Sequence, residues 1–305
     1  MTQKCGNLYA TTIERSCNIA SEDAVISFIV PLSFISTPRM NPVRELIQDR
    51  ATEVFYASFA DRPGCIFKGV HQRLVIFTAN LKKGINKQLF TSKYHFWYNK
   101  ERNQLYKNIT YMPNDELCTA KIGLPIDISI IEKIEKNNCK ITSIIGSGDY
   151  SVYLSSRIGF WTKCFITKPN SSEFREIRCN TETQQHLLNA FFNSSTFYYY
   201  WIVKSDCWHV SEKDYKDVGF DIDLLSEDEK NDLVNLSKLL LQDLEKNKKY
   251  IGSKQVEYEY KHKYSKEIID KIDDKISKLF GFSLEETEYI KNYTIEYRMN
   301  DAKKD

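Results

Sequence analysis

Residues 24–31, Ala-Val-Ile-Ser-Phe-Ile-Val-Pro, form a nearly unbroken apolar run that stops at a proline. A run this short cannot cross a bilayer. It reads as a strand buried on both faces, which is the situation of strands in mostly parallel sheets covered by helices. Asn7–Ala20 before it has a helical pattern, with Leu8, Ile13 and Ile19 among polar residues, and Val43–Asp49 after it reads as a short helix. Glu53–Ser58 and Arg73–Thr78 are two further β-rich runs. The order helix–strand–helix–strand predicts α/β layering over roughly the first 85 residues.

The texture changes after Lys82-Lys83-Gly84, where short mixed segments rich in Tyr, Phe, Trp, Asn and Ser begin. From Leu224 the chain turns helical and charged. Ser226 with Glu229 is a capping box, and Leu233, Leu236, Leu240 and Leu244 form an apolar stripe. Tyr264–Phe280 reads as a second helix with Gly281 at its C-cap, and Ser283 with Glu286 caps a third. The expected division is 1–84, an irregular α/β segment at 85–220, and a helical region at 221–305.

Composition sets outer bounds. Of 305 residues 42% are hydrophobic, with 17 Phe and 19 Tyr, enough to build packed cores. A formal charge of +2 neither demands nor excludes a polyanionic partner. The eight Cys contain no CxxC pair, so a zinc ribbon is not expected and a reduced, cytoplasmic setting is. The sequence shows neither a signal peptide nor an apolar span, so no membrane partner is expected.

A series of short segments along the chain carries a resemblance. Asn7-Leu8-Tyr9 opens the first helix, Ser27-Phe28-Ile29-Val30-Pro31-Leu32-Ser33 ends the strand, and Ile66-Phe67-Lys68-Gly69-Val70 precedes Arg73–Thr78. Phe59-Ala60-Asp61-Arg62-Pro63-Gly64 and Val70-His71-Gln72-Arg73 flank that last segment. Further on come Ser155–Trp161, Leu188–Phe197, Ser205-Asp206-Cys207-Trp208-His209-Val210, and Ile268–Asp273 with Tyr289–Tyr293. In this order they resemble the carboxy-terminal part of gamma-class N6-adenine DNA methyltransferases of the combined restriction–modification, type IIG-like kind. The resemblance implies the last part of a Rossmann-like methyltransferase sheet, an α/β target-recognition domain, and a helical tail. It also implies double-stranded DNA as the partner.

From pattern alone Phe67 reads as a core residue at a strand entrance; the resemblance implies instead that its ring stacks on an extruded adenine. Leaving the stack costs a base roughly a few kcal/mol. A flat aromatic face recovers about 1–3 kcal/mol of that. Candidates for DNA contact are Arg62, Arg73, His95, Arg157, Trp161 and Lys163, although any one of them taken singly reads as a solvated charge. Arginine can bridge guanine N7 and O6, while lysine mostly neutralises phosphate. Cys207 and His209 stand two residues apart without a second ligand pair, which makes a poor zinc site and a better packing loop.

Two of the family's elements are missing. S-adenosylmethionine is bound in that family by an aromatic-x-Gly-x-Gly strand–loop. The sole Gly-x-Gly here, Gly146-Ser147-Gly148, lacks the aromatic residue and a long following helix, and reads as a turn. The catalytic Asn-Pro-Pro-aromatic loop is absent too: Asn41-Pro42-Val43 lacks the second proline and reads as a helix start. The expectation is therefore a chain that does not bind S-adenosylmethionine alone and carries no complete catalytic set. A complementing polypeptide would supply the Asn-Pro-Pro-Tyr loop, leaving an exposed sheet edge and helix face here. Split gene, expressed fragment and relic all remain open. The alternatives weighed are a non-catalytic DNA specificity subunit, a nuclease built on Glu259-Tyr260-Lys261, and a protein scaffold on the charged tail helices.

Overall fold

A computed structural model describes residues 2–82, 87–107, 109–114, 119–253 and 257–300. The expected boundary at 84/85 lies outside the described residues. The chain divides into two compact units, residues up to 128 with 202–207, and 129–201 with 208 onward.

In the first unit α1 (Leu8–Ile19) leads into β1 (Val25–Pro31), α2 (Ser33–Ser36) and α3 (Asn41–Arg50). β2 (Glu53–Phe59), β3 (Leu74–Asn80), β4 (Gln88–His95) and β5 (Tyr111–Pro113) follow. They form one five-stranded sheet in the order β1-β3-β2-β4-β5, so the sheet continues past residue 84. The fold is α/β, as expected, but the sheet is mixed rather than mostly parallel. β3 is antiparallel to both β1 and β2, β4 is parallel to β2, and β5 is antiparallel to β4. The physical reason lies in the connections. β1 and β2 run the same way because helices join them, whereas β3 returns from β2 through a loop and slots between them.

β1 is not buried on both faces, and the expectation drawn from its apolar run fails there. Ile26 and Val30 point into the core, while Val25 and Ile29 are 64% and 42% exposed. A continuous apolar strand is dry on both sides only when a second layer covers it, and β1 ends the sheet among the described residues. Leu8 and Ile19 on α1 are exposed as well. The core on the covered side is aromatic. Phe34 stacks on Phe77 at 5.2 Å and meets Tyr56 edge-on at 5.8 Å, all three fully buried. Buried Arg44 ties α3 to α2 by donating to the carbonyls of Phe34 and Thr37.

α4 (Pro125–Lys136) precedes the second unit's sheet, in which β6 (Tyr150–Ser155) lies between β7 (Cys164–Phe165) and β8 (Phe174–Cys179). α5 (Glu182–Asn193) and α6 (Ser195–Lys204) follow, and residues 186–203 are buried without exception. That is how an all-round apolar helix sequence such as Phe197–Val203 must sit. α7 (Glu227–Lys246) starts at the Ser226–Glu229 capping box. A short hairpin, β9 (Lys249–Tyr250) with β10 (Tyr258–Glu259), leads to α8 (Lys266–Phe280), which ends on Gly281 at φ 65°. α9 (Leu284–Asn292), capped by Ser283 and Glu286, and α10 (Ile295–Met299) complete the chain. No helix among the described residues is long and apolar enough to cross a membrane.

Candidate nucleic-acid interface

The loop between β2 and β3 leaves the sheet where β1 and β2, which run the same way, reach their carboxyl ends. Pro31 pairs with Leu74, Phe59 pairs with Leu74 from the other side, and the Leu32 amide donates to the Arg73 carbonyl at 3.0 Å. Open α/β sheets bind their ligands outside this end of the strands.

The loop is braced along its length. The Ala60 amide donates to the His95 carbonyl at 2.9 Å, and the Gly64 amide to the Trp97 carbonyl at 2.8 Å. A Cβ on Gly64 would stand 2.8 Å from the Trp97 ring, so glycine is required for this approach. Arg102, on a 3-10 turn at Asn99–Gln104, donates to the carbonyls of Cys65 and Ile66 at 2.6 and 2.7 Å. Its guanidinium lies 5.1 Å from the centre of the Trp97 ring. Phe67 then opens a four-residue turn that the Val70 amide closes onto the Phe67 carbonyl at 3.0 Å. Gly69 at its third position has φ 76°, the left-handed geometry a type II turn demands there. Phe67 is 47% exposed, as is Val70, so the ring is presented to solvent from a fixed backbone rather than packed in the core.

The predicted basic residues separate into distinct surroundings. Arg62 and Arg73 share buried Asp61, at 3.9 and 3.5 Å, but Arg73 is mostly covered while Arg62 is two-thirds exposed. His71 Nδ1 lies 3.3 Å from the Asp61 carbonyl, closing the base of the loop. His95 faces Phe59 with ring centres 5.7 Å apart, and its Nε2 is buried. Burial, reinforced by the charge of Lys93, lowers its pKa to about 4, so the ring is neutral at neutral pH.

In the second unit Trp161 is engaged with Arg298. Its Nε1 donates to the Arg298 carbonyl at 3.1 Å, and the Arg298 guanidinium lies 4.0 Å over its ring and 4.5 Å over that of Tyr198. Arg157 and Lys163 line one pocket, where Arg157 pairs with Glu173 at 3.2 Å. Gly146-Ser147-Gly148 is a bend: its Gly146 amide donates to the Arg178 carbonyl at 2.9 Å, and a Cβ on Gly148 would lie 2.4 Å from the Cys179 carbonyl. The Cys207 thiol is buried and donates to the Ile202 carbonyl at 3.4 Å. No cluster of three metal-ligating side chains occurs among the described residues. Glu259 is held by Lys261 at 2.8 Å.

Sequence reasoning quoted Asp61 within the Phe59–Gly64 segment without giving it a role, and it missed Arg102. Arg102 carries no local signal, because it meets its carbonyl partners 36 and 37 residues away.

No protein-family model matches the chain, and no curated protein sequence does. Among solved structures it is similar to the type IIG restriction endonuclease BpuSI, at 10% identity and a TM-score of 0.38, over 95% of this chain and 48% of that one. It is also similar to a nuclease-deletion mutant of the type ISP restriction-modification enzyme LlaGI in complex with a DNA substrate mimic. That match has 11% identity and a TM-score of 0.31, covering 49% of this chain and 13% of that one. For DrdV in a DNA complex the values are 12% identity and a TM-score of 0.30, over 49% and 17%. The chain thus spans half or less of the length of each of these proteins.

Proposed function

We infer that this chain reads duplex DNA and walls the pocket of an extruded adenine, as the carboxy-terminal portion of an N6-adenine DNA methyltransferase. The observation that carries this reading is Phe67: a half-exposed ring on a braced loop, at the carboxyl end of two parallel strands. There a ring can receive a base without first breaking core contacts. In this reading Arg62, Arg157 and Lys163 meet phosphate or base edges, while His95 contributes only as a neutral group and Arg73 chiefly through Asp61. S-adenosylmethionine and the Asn-Pro-Pro-Tyr loop would come from a second polypeptide. Its parallel strand would pair with the open edge of β1, and a helix carried with that strand would cover the face of Val25 and Ile29. An unprotected apolar edge of this kind favours strand addition. The setting we propose is the cytoplasm.

The test is selection of bound duplexes from a randomised pool, followed by 2-aminopurine substitution at each adenine of the selected site. A fluorescence rise at one adenine that Phe67→Ala reduces about tenfold or more is the expected result, given stacking worth about 1–3 kcal/mol. Sequence selection without any such adenine would favour the second reading, a specificity subunit without catalytic role. Absence of salt-sensitive duplex binding would sink both.

A further inference from the structure

Lys163 is the amine in this molecule whose surroundings are hardest to explain by folding alone. It is largely buried, and it has no hydrogen-bond or ion-pair partner for its ammonium among the described residues. The residue keeps some contact with solvent, and Glu259 and Glu173 act on its charge without pairing directly with it, so a close counter-ion is lacking. The carboxylates nearby are already engaged: Glu173 with Arg157 at 3.2 Å, Glu259 with Lys261 at 2.8 Å, and Glu257 with the Asn170 amide at 3.3 Å.

Its backbone is held with unusual thoroughness. The Lys163 carbonyl accepts from the Ser155 amide at 2.8 Å. The next residue, Cys164, is clamped on both polar groups: its amide donates to Asn193 Oδ1 at 3.0 Å, and its carbonyl accepts from Asn193 and Asn189 at 2.8 and 2.9 Å. Asn189 and Asn193 stand four apart on α5, hence on one face. The short strand β7 is thus pinned to that helix, and Lys163 is fixed at its entry. The side chain lines a pocket of about 100 Å³ together with Arg157, Asn170, Ser171 and Tyr258, and with Glu173 and Glu257, whose carboxylates are those engaged by Arg157 and Asn170.

We propose that this pocket binds a phosphate oxyanion, held between the Lys163 ammonium and the Arg157 guanidinium, with the tyrosine wall beside whatever the phosphate carries. The phosphate can come from a DNA backbone or from a free nucleotide; the chemistry at Lys163 is the same. Burial lowers the Lys163 pKa, with the charges of Glu259 and Glu173 opposing, so an incoming dianion should push it back up. The proposal rests on the reading above in giving Arg157 and Lys163 to phosphate, but its failure is separable from that of the Phe67 assignment, since Phe67 lies in the other unit.

The experiment follows the Lys163 side-chain resonance by NMR across pH in the full-length chain, assigned by its loss in Lys163→Arg. The wild-type titration is repeated with inorganic phosphate, deoxyadenosine 5′-monophosphate, and duplex DNA. A rise in its titration midpoint with the small probes alone supports a free-nucleotide site. A rise with the duplex supports a backbone site, and Lys163→Met should then lower the salt slope of duplex binding by about one. Lys163→Met should weaken the effective probe about tenfold or more, with Lys163→Arg retaining most binding. An unchanged wild-type midpoint with all three probes overturns the proposal, whether or not the variants fold.

Discussion

Arg102 donates to the Ile66 carbonyl at 2.7 Å, fixing the peptide that immediately precedes Phe67 from a segment 36 residues further along the chain. The aromatic ring proposed to meet DNA is therefore aimed by a residue that need not touch DNA itself. Arg102→Ala should weaken site-specific binding and speed amide exchange at residues 65–67. Two hydrogen bonds from a charged donor are worth about 1.5–3 kcal/mol each. Arg102→Lys should restore little, because an ammonium lacks the planar fork that serves both carbonyls. Equal exchange rates in wild type and both variants would refute this.

Gly64 is a packing glycine. A Cβ there would press on the Trp97 ring at 2.8 Å and on the Trp97 carbonyl at 2.9 Å. Gly64→Ala is expected to cost about 1–3 kcal/mol by overpacking, read as a fall in the urea midpoint. Gly69→Ala meets open space and should cost only about 1–2 kcal/mol, from its positive φ alone.

Asp273, on α8, caps α6. Its carboxylate accepts from the amides of Ser195 and Thr196 at 3.0 Å each and from the Thr196 hydroxyl at 2.9 Å, fully out of water. Asp273→Ala strands three donors, and about 3 kcal/mol or more of stability should be lost in chemical denaturation.

His262 gives a pH dependence. Burial, then the charge of Lys163, lowers its pKa to about 3, while the ordinary value is 6.5. As pH falls from about 6.5 toward 3, the unfolded chain takes up a proton that the folded chain refuses. Stability is complete above that window and declines within it, by at most about 1.4 kcal/mol per pH unit from this group. His262→Gln should flatten the acid limb of a stability–pH curve; an unchanged slope would contradict the assignment.

Ile29 tests the open edge. Its side chain is exposed, so Ile29→Lys should change the stability of this chain by no more than about 0.5 kcal/mol. The same change should abolish co-purification with a polypeptide carrying the cofactor strand and catalytic loop. Co-purification that survives the lysine would place the partner elsewhere.

The helices were the most legible elements, because their caps are written within four residues. Ser226–Glu229, Ser283–Glu286 and Gly281 all act where the pattern places them. Strand positions were legible too, from apolar runs at residues 24–31, 53–58 and 73–78. Strand partners were not. The apolar content of β1 suggested cover on both faces, yet an apolar run records what a strand can bury, not whether anything in the same chain buries it.

Sequence alone therefore determined where α1, α3, α7 and α9 begin, that residues 24–31, 53–58 and 73–78 extend, and that an aromatic ring stands before β3. Those are properties of neighbours along the chain, set by backbone propensity and local hydrogen bonds. Tertiary structure decided that β3 slots between β1 and β2, that Arg102 aims Phe67, and that Tyr258 and Tyr260 wall the pocket of Arg157 and Lys163. Each of these depends on residues distant in sequence meeting at ångström range, and no local pattern encodes that distance.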